Sequence, residues 1–115
     1  MTTYSDEQLM LLIVEKDDLK AFEELITRYE KPLLIYIFRY ISDFHTVQDL
    51  FQETFYKIFK NRKLFNPELR FSTWAYRIAT NLCLNELKGK THELEVFLED
   101  TQPSKRPPHL SMIYP

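Results

Sequence analysis

The chain has 115 residues, 44% of them hydrophobic and 15% aromatic, which sets it among small globular domains rather than disordered or fibrous chains. That length allows a single core, burying roughly 60–65% of the unfolded surface, and the one glycine, Gly89, leaves little of the tight-turn chemistry that β-hairpins need. The formal charge of −2 hides a division: residues 1–56 carry 5 basic and 11 acidic side chains, residues 57–90 carry 8 and 2, and residues 91–115 carry 2 and 4.

A basic second half behind an acidic first half points to nucleic acid, although the halves can also neutralise each other across the fold. No apolar run approaches the ~18 residues of a membrane span, and no signal-peptide pattern opens the chain. A single cysteine, Cys83, gives no disulfide framework and suits a reducing cytoplasm. The expected location is therefore cytoplasmic.

In chain order, Ser5 followed by Gln8 is a capping-box pattern, opening a first helix through Leu9, Leu12 and Ile13. It should stop near Lys16-Asp17-Asp18, with Asp18 capping the next helix. Leu19, Phe22, Leu25, Ile26 and Tyr29 carry that second helix to Pro32, where a kink or short break is expected. LLIYIFRYI then resumes the pattern, apolar nearly all round, as expected of a segment buried on several sides. Ser42-Asp43 ends it and offers the next cap.

A third helix is predicted from about His45 to Asn61. Val47, Leu50, Phe51, Thr54, Phe55, Ile58 and Phe59 form its core stripe. Asp49, Gln52, Glu53, Tyr56 and Lys60 form the other face, which reads either as a solvated surface or as an acidic, aromatic patch for a basic partner. Asn66-Pro67 marks a turn inside NRKLFNPELRF. The last helix, Arg70 to Lys88, is expected to be capped by Ser72 and ended by Gly89. It turns Trp74, Ala75, Ile78, Ala79, Leu82 and Cys83 inward and Arg77, Thr80, Asn81, Leu84, Asn85 and Lys88 along a second stripe.

The predicted fold is thus all-α, a compact bundle of about four helices, with residues 1–90 as the helical domain. Residues 91–115, acidic and then proline-rich, read as a linker or tail.

Catalysis has thin support. His45, His92 and His109 are far apart and lack metal-ligand spacing, Cys83 lies on the core stripe, and one glycine cannot build a phosphate loop. No enzyme activity, metal, cofactor or small-molecule substrate is expected. Binding of nucleic acid has better grounds: Arg62, Lys63, Arg70, Arg77, Lys88 and Lys90 can meet phosphates, interleaved with Phe65, Phe71, Trp74 and Tyr76. Such aromatics suit single-stranded DNA if exposed, and are core if not, with Phe71 read as core and Trp74 as serving both roles. Asn81 and Asn85, a turn apart, are poor residues for a buried helix interior and suit outward recognition.

Asp49–Asn61 (DLFQETFYKIFKN) and Phe65–Lys88 (FNPELRFSTWAYRIATNLCLNELK) resemble region 2 of bacterial sigma factors of the extracytoplasmic-function group, and the opening helices match that family too. The resemblance implies binding to the clamp helices of the RNA polymerase beta-prime subunit through Asp49, Leu50, Gln52, Glu53 and Tyr56. It also implies recognition of the minus-ten promoter element, partly single-stranded, by the loop Arg62–Arg70 and by Trp74 and Asn81, with an anti-sigma factor as a further partner. The full DNA-binding set read here is Arg62, Lys63, Arg70, Trp74, Tyr76, Arg77, Asn81, Asn85 and Lys88. Two places depart from the family pattern: Asp17-Asp18, where many members have Gly-Asp, and Asn85 with Lys88, where aspartate and arginine are common. The family carries a second, helix-turn-helix domain that this chain stops before, so the proline-rich stretch is expected to be the start of the inter-domain linker of either a fragment or a truncated form. A helical protein-binding adaptor or anti-sigma-like regulator, without DNA binding, is the alternative from another class.

Overall fold

The computed structural model describes the backbone of residues 3–101 and the side chains of residues 3–89. Its elements are α1 (Asp6–Lys16), α2 (Leu19–Phe38), α3 (Phe44–Lys60), a short 3-10 turn (Arg62–Leu64) and α4 (Phe71–Thr101). The described residues form no strand, so the all-α bundle of four helices stands. The proline-rich stretch lies outside the described residues.

The helix starts follow local hydrogen-bond chemistry. The Gln8 N–H donates to Ser5 Oγ at 3.1 Å while the Ser5 N–H donates to Gln8 Oε1 at 2.7 Å, closing the capping box. Asp18 Oδ1 accepts the N–H groups of Lys20 and Ala21 at 3.0 and 3.1 Å, and Asp43 Oδ2 accepts that of Thr46 at 3.0 Å. Between α1 and α2, Asp17 takes the left-handed conformation at φ 51. Glycine has no steric cost there and aspartate is among the few other residues that tolerate it, so Asp17 can serve as the C-cap of α1.

Four sequence expectations give way. α2 runs unbroken through Pro32, which is exposed, while Leu25, Leu33 and Ile37 on either side are fully buried and hold both halves to the core. The LLIYIFRYI segment is not buried all round: Leu33, Ile37 and Ile41 are in the core, whereas Ile35 is 54% and Phe38 42% exposed. Phe38 and the exposed Phe44 shelter each other, ring centroids 5.9 Å apart. Ser72 does not cap α4, which already begins at Phe71. Gly89 does not end α4 either. Its φ is not positive, the helix continues to Thr101, and glycine inside a helix costs only about 1 kcal/mol.

The core draws on every helix, with Leu9 and Ile13 of α1, Leu25 and Leu33 of α2, Val47 and Ile58 of α3, and Phe71 and Ala79 of α4 all fully buried. α4 presents Ala75, Ala79 and Cys83 one turn apart, each at 0% exposure, so its backbone can approach α3 and α2 closely. Burial pushes the Cys83 thiol up to about 11, which keeps it a neutral core group at physiological pH. None of the described helices is long and apolar enough to cross a membrane.

Candidate nucleic-acid interface and docking face

The chain between α3 and α4 is short, basic and tightly braced. Asn66 Oδ1 accepts the Glu68 N–H at 3.0 Å, and the Leu69 N–H bonds the Asn66 carbonyl at 3.0 Å, so the Asn66-Pro67 turn forms as its residue types dictate. Phe65 tucks inward, only 8% exposed, and stacks tilted against Trp74 at 5.3 Å. Leu64 and Leu69 instead stand 77% and 62% exposed.

Between this loop and the first turns of α4 lies a pocket of about 270 Å³, lined by Leu64, Phe65, Asn66, Leu69, Arg70, Thr73, Trp74 and Arg77. Its floor is aromatic, its walls apolar, and its polar groups are an amide, a hydroxyl and two guanidiniums. Arg70, Arg77 and the nearby Lys63 are exposed and form no ion pair among the described residues. A flat heteroaromatic ring attached to a phosphate fits that combination. The ring would lie against Trp74, its polar edge would reach Asn66 or Thr73, and the charge would meet arginine.

The two ends of this loop are both held by α1, which the sequence did not suggest. At one end, Asp17 Oδ1 binds Arg62 Nη2 at 2.8 Å, Arg62 Nη1 donates to the Phe59 carbonyl at 2.9 Å, and the guanidinium lies 4.3 Å above the Phe59 ring. At the other end, Glu7 Oε2 accepts the Phe71 N–H at 2.7 Å. A carboxylate from α1 thus occupies the N-terminus of α4, where the helix dipole favours negative charge. α1 is itself fixed to α2: Arg28 bonds Asp6 at 3.0 Å and Glu24 at 2.9 Å, and the Tyr29 hydroxyl donates to Asp6. Burial and Asp6 together raise the Tyr29 phenol above its ordinary range, so this donor keeps its proton. Removing the Glu7 carboxylate should therefore loosen the loop: Glu7→Ala is expected to lower stability in urea by roughly 1–2 kcal/mol. Glu7→Gln, which keeps an acceptor oxygen, should recover about half of that. Equal stability of all three proteins would show that the bond contributes nothing.

The structure sorts the sequence-based DNA set. Arg70, Trp74 and Arg77 meet at the pocket, with Lys63 close by on the 3-10 turn. Asn81, Asn85 and Lys88 are exposed further along α4, outside the pocket. Arg62 is spent inside the fold on Asp17 and Phe59, with its Nε buried. Tyr76 faces α2 rather than the loop, packing edge-on against Tyr36 at 4.9 Å and Tyr29 at 6.3 Å. Leu64, Asn66 and Leu69, which belong to the predicted loop Arg62–Arg70 but were not singled out within it, also line the pocket, as does Thr73. The available signal was two leucines in a charged loop with no helical period to bury them.

On the opposite strip of α3, Asp49, Gln52, Glu53 and Tyr56 are all exposed, Tyr56 by 63%, and Lys60 Nζ sits 5.9 Å from the Tyr56 ring centroid. Leu50 is different: at 7% exposure it belongs to the core and supports this face from beneath. Gln52 and Tyr56 also border an apolar groove formed with Phe22, Ile26, Phe51, Phe55 and Phe59. An acidic rim beside an apolar slot is suited to a basic amphipathic helix.

Residues 25–93 match the family model described as Sigma-70 region 2. The RNA polymerase sigma-H factor of Pseudomonas aeruginosa is 34% identical over 105 residues, which cover 89% of this chain and 54% of that protein. The ECF RNA polymerase sigma factor SigW of Bacillus subtilis is 34% identical over 77 residues, 67% of this chain and 41% of that protein. The chain therefore spans about half the length of the curated relatives it matches. Among solved structures, an engineered region 2 of sigmaE, determined by NMR in complex with GTAAAA, superposes with a TM-score of 0.72 at 34% identity. That match covers 83% of this chain and 98% of the other.

Proposed function

Because this chain belongs to the sigma-70 region 2 family, with ECF sigma factors among its relatives, we propose that it is the promoter-recognition domain of an alternative sigma factor. In this reading it binds core RNA polymerase through α3 and the minus-ten element, partly single-stranded, through the loop and α4. It is a binding module with no chemistry of its own. The pocket over Trp74 is the observation that carries the proposal, because it offers an aromatic floor, hydrogen-bonding edges and arginines without ion-pair partners among the described residues in one place. The related engineered domain solved with GTAAAA supports a strand of that kind as the ligand.

The mechanism follows from base flipping. Extruding a base from the duplex costs a few kcal/mol, and a pocket that stacks and hydrogen-bonds the extruded base returns that energy only for a base that fits. Binding then melts and reads the promoter in one step. Lys63, Arg70 and Arg77 hold the backbone beside the pocket, with Asn81, Asn85 and Lys88 along the continuing strand. Asp49, Gln52, Glu53 and Tyr56 dock the beta-prime clamp helices, and an anti-sigma factor that covered this face would silence the domain.

Fluorescence anisotropy with a labelled single-stranded GTAAAA oligonucleotide tests the DNA half. Binding should weaken steeply with salt, because each neutralised phosphate adds about 0.7 to the slope of log affinity against log salt. Absence of salt-sensitive binding, alone or with core polymerase, would favour the protein-binding adaptor. For the polymerase half, Asp49→Ala with Gln52→Ala should weaken capture of a beta-prime clamp-helix fragment by about ten-fold or more, both being exposed groups at the centre of the face. Circular dichroism should stay native. Unchanged capture would move the docking face elsewhere.

A further inference from the structure

We infer that, besides the end of the DNA strand that runs along α4 past Asn81, the other end leaves the Trp74 pocket across α4 into a second subsite between α4 and α2, where Arg39 takes a phosphate and Tyr76 and Tyr36 bear the attached nucleoside. The inference rests on the reading of the first pocket as a DNA site.

Pro32, Ile35, Tyr36, Arg39 and Tyr76 line an open groove on the other side of α4 from the first pocket. Tyr76 and Arg77 are consecutive, so they point about 100° apart around the helix. One lines the second groove and the other rims the first pocket, and a strand passing over Arg77 arrives at Tyr76. Arg39 and Lys31, two turns apart along the exposed side of α2, make no ion pair among the described residues. Two cations left without anionic partners flank an aromatic and aliphatic floor. Single-stranded nucleic acid asks for that pairing, since phosphates need charge and every base or sugar has a face to lay down.

The floor is rigid. Thr80 Oγ1 donates to the Tyr76 carbonyl at 2.7 Å, so its contact with the Tyr36 hydroxyl, also 2.7 Å, must be accepted from Tyr36. Tyr40 is then the donor in its 3.3 Å contact with Tyr36. This chain of hydroxyls holds the Tyr36 ring at 88° to that of Tyr76. A packing role alone requires neither the exposed arginine nor the opening between the helices. A second subsite also gives a DNA role to Tyr76, which the sequence marked as a DNA residue and the fold places away from the first pocket.

The test uses the full chain and two labelled twelve-nucleotide single strands, one carrying GTAAAA between thymidine flanks and one with the same bases scrambled. Arg39→Glu changes an exposed side chain, and Lys20→Glu, an exposed cation at the other end of α2, controls for overall charge. Arg39→Glu should weaken both strands equally, by about five-fold or more near 0.1 M salt, and should lower the salt slope by about 0.7, as for one lost phosphate contact. Lys20→Glu should stay within about two-fold of the unaltered protein. If Arg39→Glu binds like Lys20→Glu, the groove is off the strand's path and the inference fails while the first pocket stands. If the unaltered protein binds neither strand, the DNA reading itself fails and this inference with it.

Discussion

Phe71→Ala is expected to destabilise the domain by roughly 3–5 kcal/mol, the range for a buried aromatic truncated to alanine. Phe71 is fully buried and meets Tyr29 at 5.3 Å, Phe65 at 6.1 Å and Trp74 at 6.3 Å between ring centroids. Its neighbours are fixed from several directions: Tyr29 by Asp6, the Phe71 N–H by Glu7, and Phe65 by the braced loop. They cannot collapse cheaply into the space, which places the cost high in the range. Domains of this size are stable by about 5–15 kcal/mol, so the loss is a large share of the total. The thermal midpoint should fall by roughly 12–25 °C. DNA binding should weaken even where the variant remains folded, because Phe71 backs both rings of the pocket floor. A fall of less than about 5 °C would mean that α4 is held mainly by its Ala75–Ala79–Cys83 stripe rather than by this ring.

The features legible in the sequence were those decided within one turn of chain. Ser5 with Gln8, Asp18 and Asp43 cap the helices expected of them, since a side-chain oxygen two or three residues from an orphan N–H needs no help from the fold. The core stripes of α3 and α4 were legible for a related reason: a wide, regular apolar face has one place to go. Misread positions were those where a distant group outcompeted a local signal. Ser72 had the right chemistry to cap α4, but Glu7, 64 residues earlier, takes the Phe71 N–H one residue sooner. Gly89 was read as a stop, yet helical residues on both sides outweigh its small propensity cost.

The candidate site divides the same way. Residue types pointed to it, because arginines among aromatics on a loop and helix start are the pairing that single-stranded nucleic acid needs. They could not say which arginine was free. Arg62 and Arg70 look alike in the sequence, and only the approach of Asp17 shows that the first is held in an ion pair while the second forms none among the described residues. Periodicity was equally silent on Tyr76, because a partly buried tyrosine satisfies either a core stripe or a binding stripe until the neighbouring helix is in place.

Trp74→Ala is the variant that should most directly separate fold from recognition. The indole forms part of the pocket's aromatic floor and leans on Phe65 at 5.3 Å, so alanine removes the stacking surface and support for the Phe65 ring. A stacked base contributes roughly 1–3 kcal/mol, which makes the expected loss of affinity for single-stranded GTAAAA about 5- to 150-fold. Trp74→Phe keeps a smaller ring in the same place and should recover much of it. The side chain is partly buried and packs against Phe65 and Phe71, so Trp74→Ala should also lower stability, and binding must be measured well below its thermal midpoint. The salt slope distinguishes this variant from Arg77→Ala. Removing the ring should weaken binding at every salt concentration without changing the slope, whereas removing the guanidinium should lower the slope by about 0.7. Preference for GTAAAA over a scrambled strand should vanish with the ring and survive loss of the charge, because stacking and hydrogen bonds inside the pocket select the base and phosphate contacts do not. If Trp74→Ala keeps both its affinity and its preference, the base is read elsewhere on α4, with Asn81 and Asn85 the next groups to replace.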